Sequence, residues 1–469
     1  MARKNLLLIP AALPVAFATA LAQAPAAGSP AITPNSDFAL TNVRIVTAPG
    51  RVIERGTVLT HDGRITAVGA TVNIPAGAVR MDLSGHTVYP GLIDAATSIG
   101  LPSPTRALPA SPTEAAPAAG RGGRGGGGAA PAAGRGQPLG RASGPPAAPV
   151  VLPEIDADAE AADMFQPTDD QLKAFRAGGV TTVGLVFNGG IFPGRVGAAL
   201  TAKADQSRLA LRTAVGQEVA FGTKRGGAYP GTGIGSVAFI RQAYLDAQYE
   251  LRLDKAMKAG TPGARPTNDP FRRALMAAAA NEMPSWFVAS TERQMTRVAE
   301  IAKEMGLKSP VVVGAQEGWR SISTLKSAGA TAVVSLQWPA PDSITGFEFG
   351  IVGNGKTMVV PQGGPAANPD IKGNAASLVK AGVPVVLASF GGESGTNFRD
   401  RIRATIEAGM SADDALRAAT VTPATLLGIS SAVGTIEVGK LANLVVVSGN
   451  DLFASGTPIK HVFVEGRLY

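Results

Sequence analysis

The chain has 469 residues, a formal net charge of +8, no cysteine and only three histidines. The absence of cysteine excludes disulfides, thiolate nucleophiles and cysteine-ligated metal sites, and a hydrophobic fraction of 45% excludes disorder over the whole chain. Because the length exceeds what one hydrophobic core usually supports, we expect either one large domain with additional segments or two domains.

The first residues have the pattern of a secretory signal peptide. Arg3 and Lys4 precede an apolar run over residues 6–21, and an A-x-A motif ends at Ala22. We predict a signal peptide over residues 1–22 and export to the periplasm or the extracellular space. An uncleaved N-terminal anchor is the alternative, but the run is short for a transmembrane helix. No membrane span is expected after cleavage of the signal.

Both ends of the remaining chain are predicted to form β-strands. Over residues 37–90, runs of β-branched residues flank the turn His61-Asp-Gly-Arg64, and an Asp-Gly turn in this setting is typical of a hairpin. Strands return over residues 430–469. The two regions together are predicted to form one small β-sandwich domain.

Residues 101–153 are predicted to be a disordered insertion rich in Gly, Ala, Pro and Arg. Within residues 101–150, Gly, Ala and Pro occupy 34 of 50 positions, which leaves little material for a packed element. The stretch Arg121-Gly-Gly-Arg124 is similar to segments that bind RNA. No aromatic residues are interleaved with it, so no nucleic-acid partner is expected.

Residues 91–429 alternate apolar strands with amphipathic helices, apart from this insertion. Helices are predicted from Thr291 to Met305 and from Ser411, where Asp414 completes a pattern similar to a capping box. The predicted strands are Val180–Phe187, Trp286–Ala289, Pro310–Val313, Thr331–Leu336, Met358–Pro361 and Pro384–Ser389. Roughly eight such units favour an α/β fold with a closed (β/α)8 TIM-like barrel.

Three motifs occur in a specific order along the chain: Pro90-Gly-Leu-Ile-Asp94, Gly179-Val-Thr-Thr-Val183 and Gly434-Thr-Ile-Glu-Val-Gly-Lys440. In this order they resemble the amidohydrolase superfamily, and Gly179-Val-Thr-Thr-Val183 resembles its imidazolonepropionase-like branch. The resemblance implies a metal-dependent barrel with a β-sandwich built from both termini. It also implies hydrolysis of amide or other non-peptide C–N bonds in small, often cyclic, substrates, with a divalent metal such as zinc as the cofactor.

The metal ligands that this resemblance implies are replaced. The positions assigned to them by the resemblance are Ala96, Ser98, Val288, Val313 and Phe390. Independently of any alignment, the chain has no histidine between His86 and His461. Side chains such as Val and Phe offer no lone pair to zinc. The sequence therefore predicts no bound metal and no cofactor.

No residue stands out as catalytic, and four charged residues are candidates for a pocket at the end of the barrel: Asp94, Arg195, Glu317 and Glu393. With Asp400, the three carboxylates could form an oxygen-rich site for magnesium or calcium, or they could be solvated surface groups. Glu317 and Glu393 are alternatively an acid–base pair. Arg195 could bind an anionic ligand or form a structural salt bridge. The Gly-rich residues 231–235 indicate either a phosphate-binding loop or a loop that leads into a helix.

Two classes of function remain. The preferred one is an exported amidohydrolase-superfamily protein that has lost metal-dependent catalysis, a pseudoenzyme that serves as a ligand-binding or partner subunit. Its expected partners are a small-molecule ligand, an active amidohydrolase relative, or a second copy of the chain. The alternative is an active hydrolase of a small cyclic amide or a similar substrate that uses an atypical site. Fold by itself does not distinguish them.

Overall fold

The structure is a computed structural model that describes residues 37–102, 156–187, 189–203, 209–222, 230–267, 269–338, 371–390 and 397–469. The predicted signal peptide, the predicted strand at residues 358–361, the candidate Glu393 and nearly all of the predicted insertion lie outside these residues. Within the described part of the chain, no helix combines the length and the apolar character needed to cross a membrane.

Strands from the two ends of the chain pair into one eight-stranded sheet, which we call the terminal sheet. Its strands are β1 (Phe38–Ala48), β2 (Arg51–His61), β3 (Arg64–Gly69), β4 (Val79–Asp82), β5 (His86–Pro90), β14 (Leu444–Ser448), β15 (Ile459–Val464) and β16 (Arg467–Leu468). The order is β16-β15-β14-β5-β1-β2-β3, and β4 also pairs with β1. The predicted pairing of both termini is thus confirmed.

The terminal sheet folds back on itself around its own core. Although β1 and β15 are three places apart in the strand order, the rings of Phe38 and Phe463 lie 5.2 Å apart, edge to face. The hairpin turn after β2 also reaches the far side of the sheet, where Ala442 N–H donates to the Gly63 carbonyl (2.8 Å). Two parts of the curled sheet therefore face each other and enclose apolar side chains between them, as in a β-sandwich.

The second eight-stranded sheet is a nearly closed barrel. Its strands follow chain order: β6 (Leu92–Thr97), β7 (Val180–Leu185), β8 (Arg195–Leu200), β9 (Ala210–Ala220), β10 (Ser285–Ala289), β11 (Val311–Gly314), β12 (Thr331–Ser335) and β13 (Val385–Ala388). The predicted barrel architecture is confirmed. We call the end at which its parallel strands terminate the barrel mouth.

One barrel strand departs from the predicted alternation of strands and helices. β8 runs antiparallel to both β7 and β9, and the short connection from β7 contains Pro193 and Gly194 and no helix. Antiparallel neighbours need only a short loop, whereas parallel neighbours need a long crossover. Strands β8 and β9 were not predicted, because the Gly- and Ala-rich segment of β8 has little intrinsic preference for a strand.

Helices cover the outside of the barrel. In the described residues they are α1 (Asp169–Ala177), α2 (Gly233–Lys258), α3 (Pro270–Ala279), α4 (Glu292–Met305), a 3-10 turn (Gly318–Arg320), α5 (Ile322–Ser327), α6 (Asn374–Lys380), α7 (Phe398–Glu407), α8 (Ala412–Ala418) and α9 (Val421–Leu426). The predicted helix starts are confirmed, since Thr291 and Ser411 cap α4 and α8. Thr232 caps α2, so residues 231–235 lead into a helix.

The barrel strands separate two apolar cores. Alternate residues point to opposite faces of a strand, so Trp286 joins a cluster inside the barrel while Phe287 joins the layer between the strands and the helices. The inner set, which we call the interior cluster, includes Ile93, Val196 and Val313. This alternation decides which side chains of each strand can reach the barrel mouth.

Candidate functional site

The five positions expected to replace metal ligands lie at the ends of barrel strands. Four of them belong to the interior cluster or pack against it: Ala96, Val288, Val313 and Phe390. The fifth, Ser98, follows β6 and is half-buried. The side chains that converge inside the barrel at these positions are therefore mostly apolar and cannot coordinate a divalent cation.

Asp94 is fully buried at the seam where the barrel closes. Ser389, which follows the last barrel strand β13, donates its backbone N–H (2.9 Å) and its hydroxyl to the Asp94 carboxylate. Burial raises the pKa of Asp94 to about 7, and the hydrogen bonds from Ser389 oppose this shift. This geometry makes Asp94 a cross-link between the first and the last barrel strand.

Arg195 begins β8 at the barrel mouth but points away from the interior. Its neighbour Val196 belongs to the interior cluster, so alternation directs Arg195 towards the helices. There Nη1 lies 3.4 Å from Glu160 Oε1, and Nη2 donates to the Ala274 carbonyl of α3 (3.5 Å). Of the two interpretations of Arg195, this arrangement favours the structural salt bridge.

Glu317 caps a helix. The side chain is buried, and its Oε2 accepts the backbone N–H of Glu292, the first residue of α4, at 2.8 Å. A carboxylate at this position satisfies a backbone donor that has no partner within the helix and interacts favourably with the helix dipole. Asp400, considered for the same oxygen-rich site, is exposed and pairs with Arg403 at 2.7 Å.

The barrel also holds a buried carboxyl group that the sequence did not reveal. Glu218 lies opposite Trp286 in the parallel pair of β9 and β10, so both side chains point into the barrel. Glu218 Oε2 accepts the Phe187 N–H (2.8 Å), and burial raises its pKa well above the ordinary value. In the described residues, Glu218 Oε1 and Trp286 Nε1 have no hydrogen-bond partner. The only feature of the sequence that could have indicated this buried carboxyl group is the single Glu in β9.

The three histidines lie far from the barrel mouth. His61 ends β2, His86 begins β5 and His461 lies in β15, so all three belong to the terminal sheet. Across the described ranges, no group of three or more His, Cys, Asp or Glu residues could hold a metal ion. Among the barrel residues that the structure describes, the donors therefore do not fit the divalent metal that the resemblance implies.

A groove of about 300 Å³ lies in the terminal sheet. It is lined by Asp37, Thr60, Asp62, Gly63, Glu465, Gly466 and Arg467. His61 Nδ1 lies 2.7 Å from the Asp37 carboxylate beside it, and this hydrogen bond raises the pKa of His61. The groove is separate from the barrel mouth.

Comparisons with known proteins agree with this architecture. The amidohydrolase family model matches residues 367–469. The solved amidohydrolase from Thermotoga maritima MSB8 is 20% identical and superposes with a TM-score of 0.68, covering 92% of this chain and 99% of that one. The chain has the amidohydrolase fold. No curated protein matches it.

Two further solved structures share the amidohydrolase fold with the chain. A prolidase complexed with N-methylphosphonate-L-proline gives a TM-score of 0.50 at 16% identity and covers 92% of this chain and 99% of its own. Molinate hydrolase gives a TM-score of 0.50 at 17% identity, covering 93% and 95%. Identities this low establish the fold, while the chemistry has to be argued from the side chains at the barrel mouth.

Proposed function

We propose that this protein is an exported member of the amidohydrolase superfamily, in its imidazolonepropionase-like branch, that has lost metal-dependent catalysis. It acts instead as a binding protein for a small ligand or as the partner of an active relative or of a second copy. The observation that carries this proposal is the apolar character of Ala96, Val288, Val313 and Phe390 inside the barrel. The amidohydrolase family match over residues 367–469 supports the superfamily.

The loss of the metal follows from ligand chemistry. A metal-dependent hydrolase needs a bound cation that lowers the pKa of water, and the cation needs imidazole, carboxylate or thiolate donors. Across the whole sequence there is no cysteine, and no histidine stands between His86 and His461. The interior carboxylates Asp94 and Glu218 lie on β6 and β9, which are three places apart in the strand order. Asp94 binds Ser389 and Glu218 binds the Phe187 N–H, so each carboxyl group has a separate hydrogen-bond partner.

Metal analysis of the protein, purified without chelator, tests this proposal. We expect zinc and manganese far below one equivalent, and a melting temperature that does not change when a chelator is added. The control is the same preparation incubated with zinc and then dialysed. Near-stoichiometric metal, removed by chelator together with a fall in melting temperature, would contradict the proposal.

A second candidate function is hydrolysis without metal, and Glu218 is the observation that favours it. Burial raises the pKa of Glu218 well above its ordinary value and so favours the protonated form, which can act as a general acid. Small cyclic amides are the substrates to assay, with Glu218→Gln as the variant. Turnover that survives chelator and is lost in Glu218→Gln, while the circular dichroism spectrum is unchanged, would favour this candidate over the binding protein.

Export is tested separately from the chemistry. We propose that residues 1–22 are removed on secretion to the periplasm or the extracellular space. Mass spectrometry of the mature protein from a secreting host gives the N-terminus directly. A mature chain that still carries Met1 would contradict cleavage, and it would leave the metal result unaffected.

A further inference from the structure

Two positive side chains lie over one indole ring at the barrel mouth. Trp338 follows β12 and is half-buried. Lys372 Nζ lies 5.6 Å from the centroid of this ring and Arg401 Cζ lies 5.0 Å from it. Because both cations are this close to one point, their positive centres are no more than about 11 Å apart.

The fold brings these three residues together from separate segments of the chain. Helices in a β/α barrel run opposite to the parallel strands, so they begin at the mouth where the strands end. Lys372 lies just before α6, and Arg401 lies near the start of α7. Trp338 reaches the same end of the molecule because it follows a parallel strand. Loops and helix starts at this end are where barrel proteins bind ligands.

The positive charge of this group is not neutralised within the described part of the chain. No described carboxylate lies within 4.0 Å of Lys372 or Arg401. Arg403 on the same helix shows the contrast, since it pairs with Asp400 (2.7 Å) and Glu407 (3.5 Å).

Arg399 adds a further cation to this end of α7. Its Nη1 is buried and has no hydrogen-bond partner among the described residues. Burial lowers its pKa, because a guanidinium loses hydration where it is not paired. A buried donor without a partner is rare in native proteins, and the usual account is a bound water or ion.

We propose that Trp338, Lys372 and Arg401 form a binding site for the anionic oxygen group, carboxylate or phosphate, of a small ligand. The guanidinium of Arg401 offers a planar fork of donors that matches either group, and the Lys372 ammonium adds a point charge. Both side chains contact the Trp338 ring. The proposal goes beyond the function proposed above and does not depend on whether the barrel hydrolyses its ligand.

The chain provides an internal comparison for this site. It contains three tryptophans. Trp319 carries a single cation, with Arg320 Cζ 5.7 Å from its ring centroid, and Trp286 is fully buried in the barrel. If two cations at one ring are needed to bind an anion, the Trp338 resonance responds to an anion and the Trp319 resonance does not.

Fluorine NMR of protein labelled with fluorotryptophan tests the proposal. Three resonances are expected, assigned by Trp338→Phe and Trp319→Phe. Inorganic phosphate and acetate are titrated separately, with chloride keeping the ionic strength constant. We expect a saturable shift of the Trp338 resonance in at least one titration, and only a small linear shift of the Trp319 resonance.

The matched variants are the double substitution Lys372→Ala/Arg401→Ala and the control Arg403→Ala. The double variant is expected to bind the anion at least about tenfold more weakly, since it loses both charged donors. Arg403→Ala should bind as the wild type does. An unchanged Trp286 resonance verifies that the core of each variant is intact.

The outcomes separate the ligand sources. Saturation by phosphate alone assigns the site to phosphate groups, saturation by acetate alone assigns it to carboxylates, and saturation by both identifies a general oxyanion site. A Trp338 shift that does not saturate in either titration overturns the proposal. The same holds if Trp319 responds equally, or if the double variant binds as tightly as the wild type.

Discussion

Asp94 is a single carboxyl group that links the first and the last strand of the barrel by hydrogen bonds. It is fully buried, and it is bound by the backbone N–H and the hydroxyl of Ser389 across the seam between β6 and β13. These hydrogen bonds compensate only part of the lost hydration, so burial raises the pKa of Asp94 to about 7. The same environment that makes Asp94 a candidate functional group gives it a structural role.

The raised pKa of Asp94 predicts that stability falls as pH rises. Between about pH 4 and pH 7 the native protein keeps a proton that the unfolded chain releases, so the free energy of unfolding decreases across this interval. The loss attributable to Asp94 is about 4 kcal/mol at most. Asp94→Asn carries no titrating proton and should flatten the profile, which urea unfolding at several pH values measures.

Glu218 has a pKa shifted in the same direction, so part of the slope should remain in Asp94→Asn. The control is Asp158→Asn, which removes an exposed carboxylate and is expected to leave the wild-type profile unchanged. A slope in Asp94→Asn equal to that of the wild type would mean that Asp94 is not protonated in the folded protein.

At the scale of elements, the N-terminus of α4 combines local and long-range capping. The helix start at Thr291 was predicted, and Thr291 and Gln294, three residues apart, form a capping box there. Glu317, in the segment after β11, caps the same helix end by accepting the Glu292 N–H. No local sequence pattern predicts this hydrogen bond. The amphipathic face and the first cap of α4 were therefore predictable, whereas the second cap depends on how β10 and β11 pair.

Replacing Glu317 should destabilise the protein through this helix. Glu317→Ala leaves the Glu292 N–H without an acceptor, and we expect a loss of about 1–2 kcal/mol in the free energy of unfolding. Glu317→Gln keeps an amide oxygen that can accept the bond and loses only the favourable charge, so its loss should be smaller. Urea unfolding checks both variants. Equal and negligible effects would show that Glu317 does not stabilise α4.

At the scale of the whole molecule, Asn443 joins the barrel to the terminal sheet. Its side chain is buried, with Nδ2 donating to Thr182 Oγ1 in β7 (3.2 Å) and Oδ1 accepting the Glu465 N–H (2.7 Å). Its carbonyl accepts the Gly91 N–H at the chain crossing between the two sheets. One amide therefore satisfies polar groups of both sheets.

Asn443→Ala should lower the stability of both sheets together. The buried Thr182 hydroxyl and the half-buried Glu465 N–H lose their partner, and such a loss at a buried group costs about 1–3 kcal/mol. Differential scanning calorimetry is expected to show a lower melting temperature. The matched control, Asn450→Ala, changes an exposed side chain in the same region and should melt like the wild type. An unaltered melting temperature in Asn443→Ala would contradict the linking role.

Some features of the candidate site could be predicted from the sequence, and others could not. The sequence assigned apolar replacements to Ala96, Val288, Val313 and Phe390, and strand alternation places Val288 and Val313 in or against the interior cluster. Ala96 and Phe390 reach the same cluster through the irregular register of β6 and the segment after β13. Glu218 was missed because its burial follows from the register of β9 with β10. The direction of Arg195 could not be predicted, since it depends on a strand that runs against its neighbours.

The sequence by itself determined the scarcity of metal-binding chemistry: no cysteine anywhere, and no histidine between His86 and His461. It also determined the alternation of strands and helices, because hydrophobic periodicity and capping are local properties of the chain. Only the tertiary structure decided which polar groups become buried and which cations contact Trp338. Trp338, Lys372 and Arg401 meet because the barrel closes, and such long-range contacts leave no pattern in the local sequence.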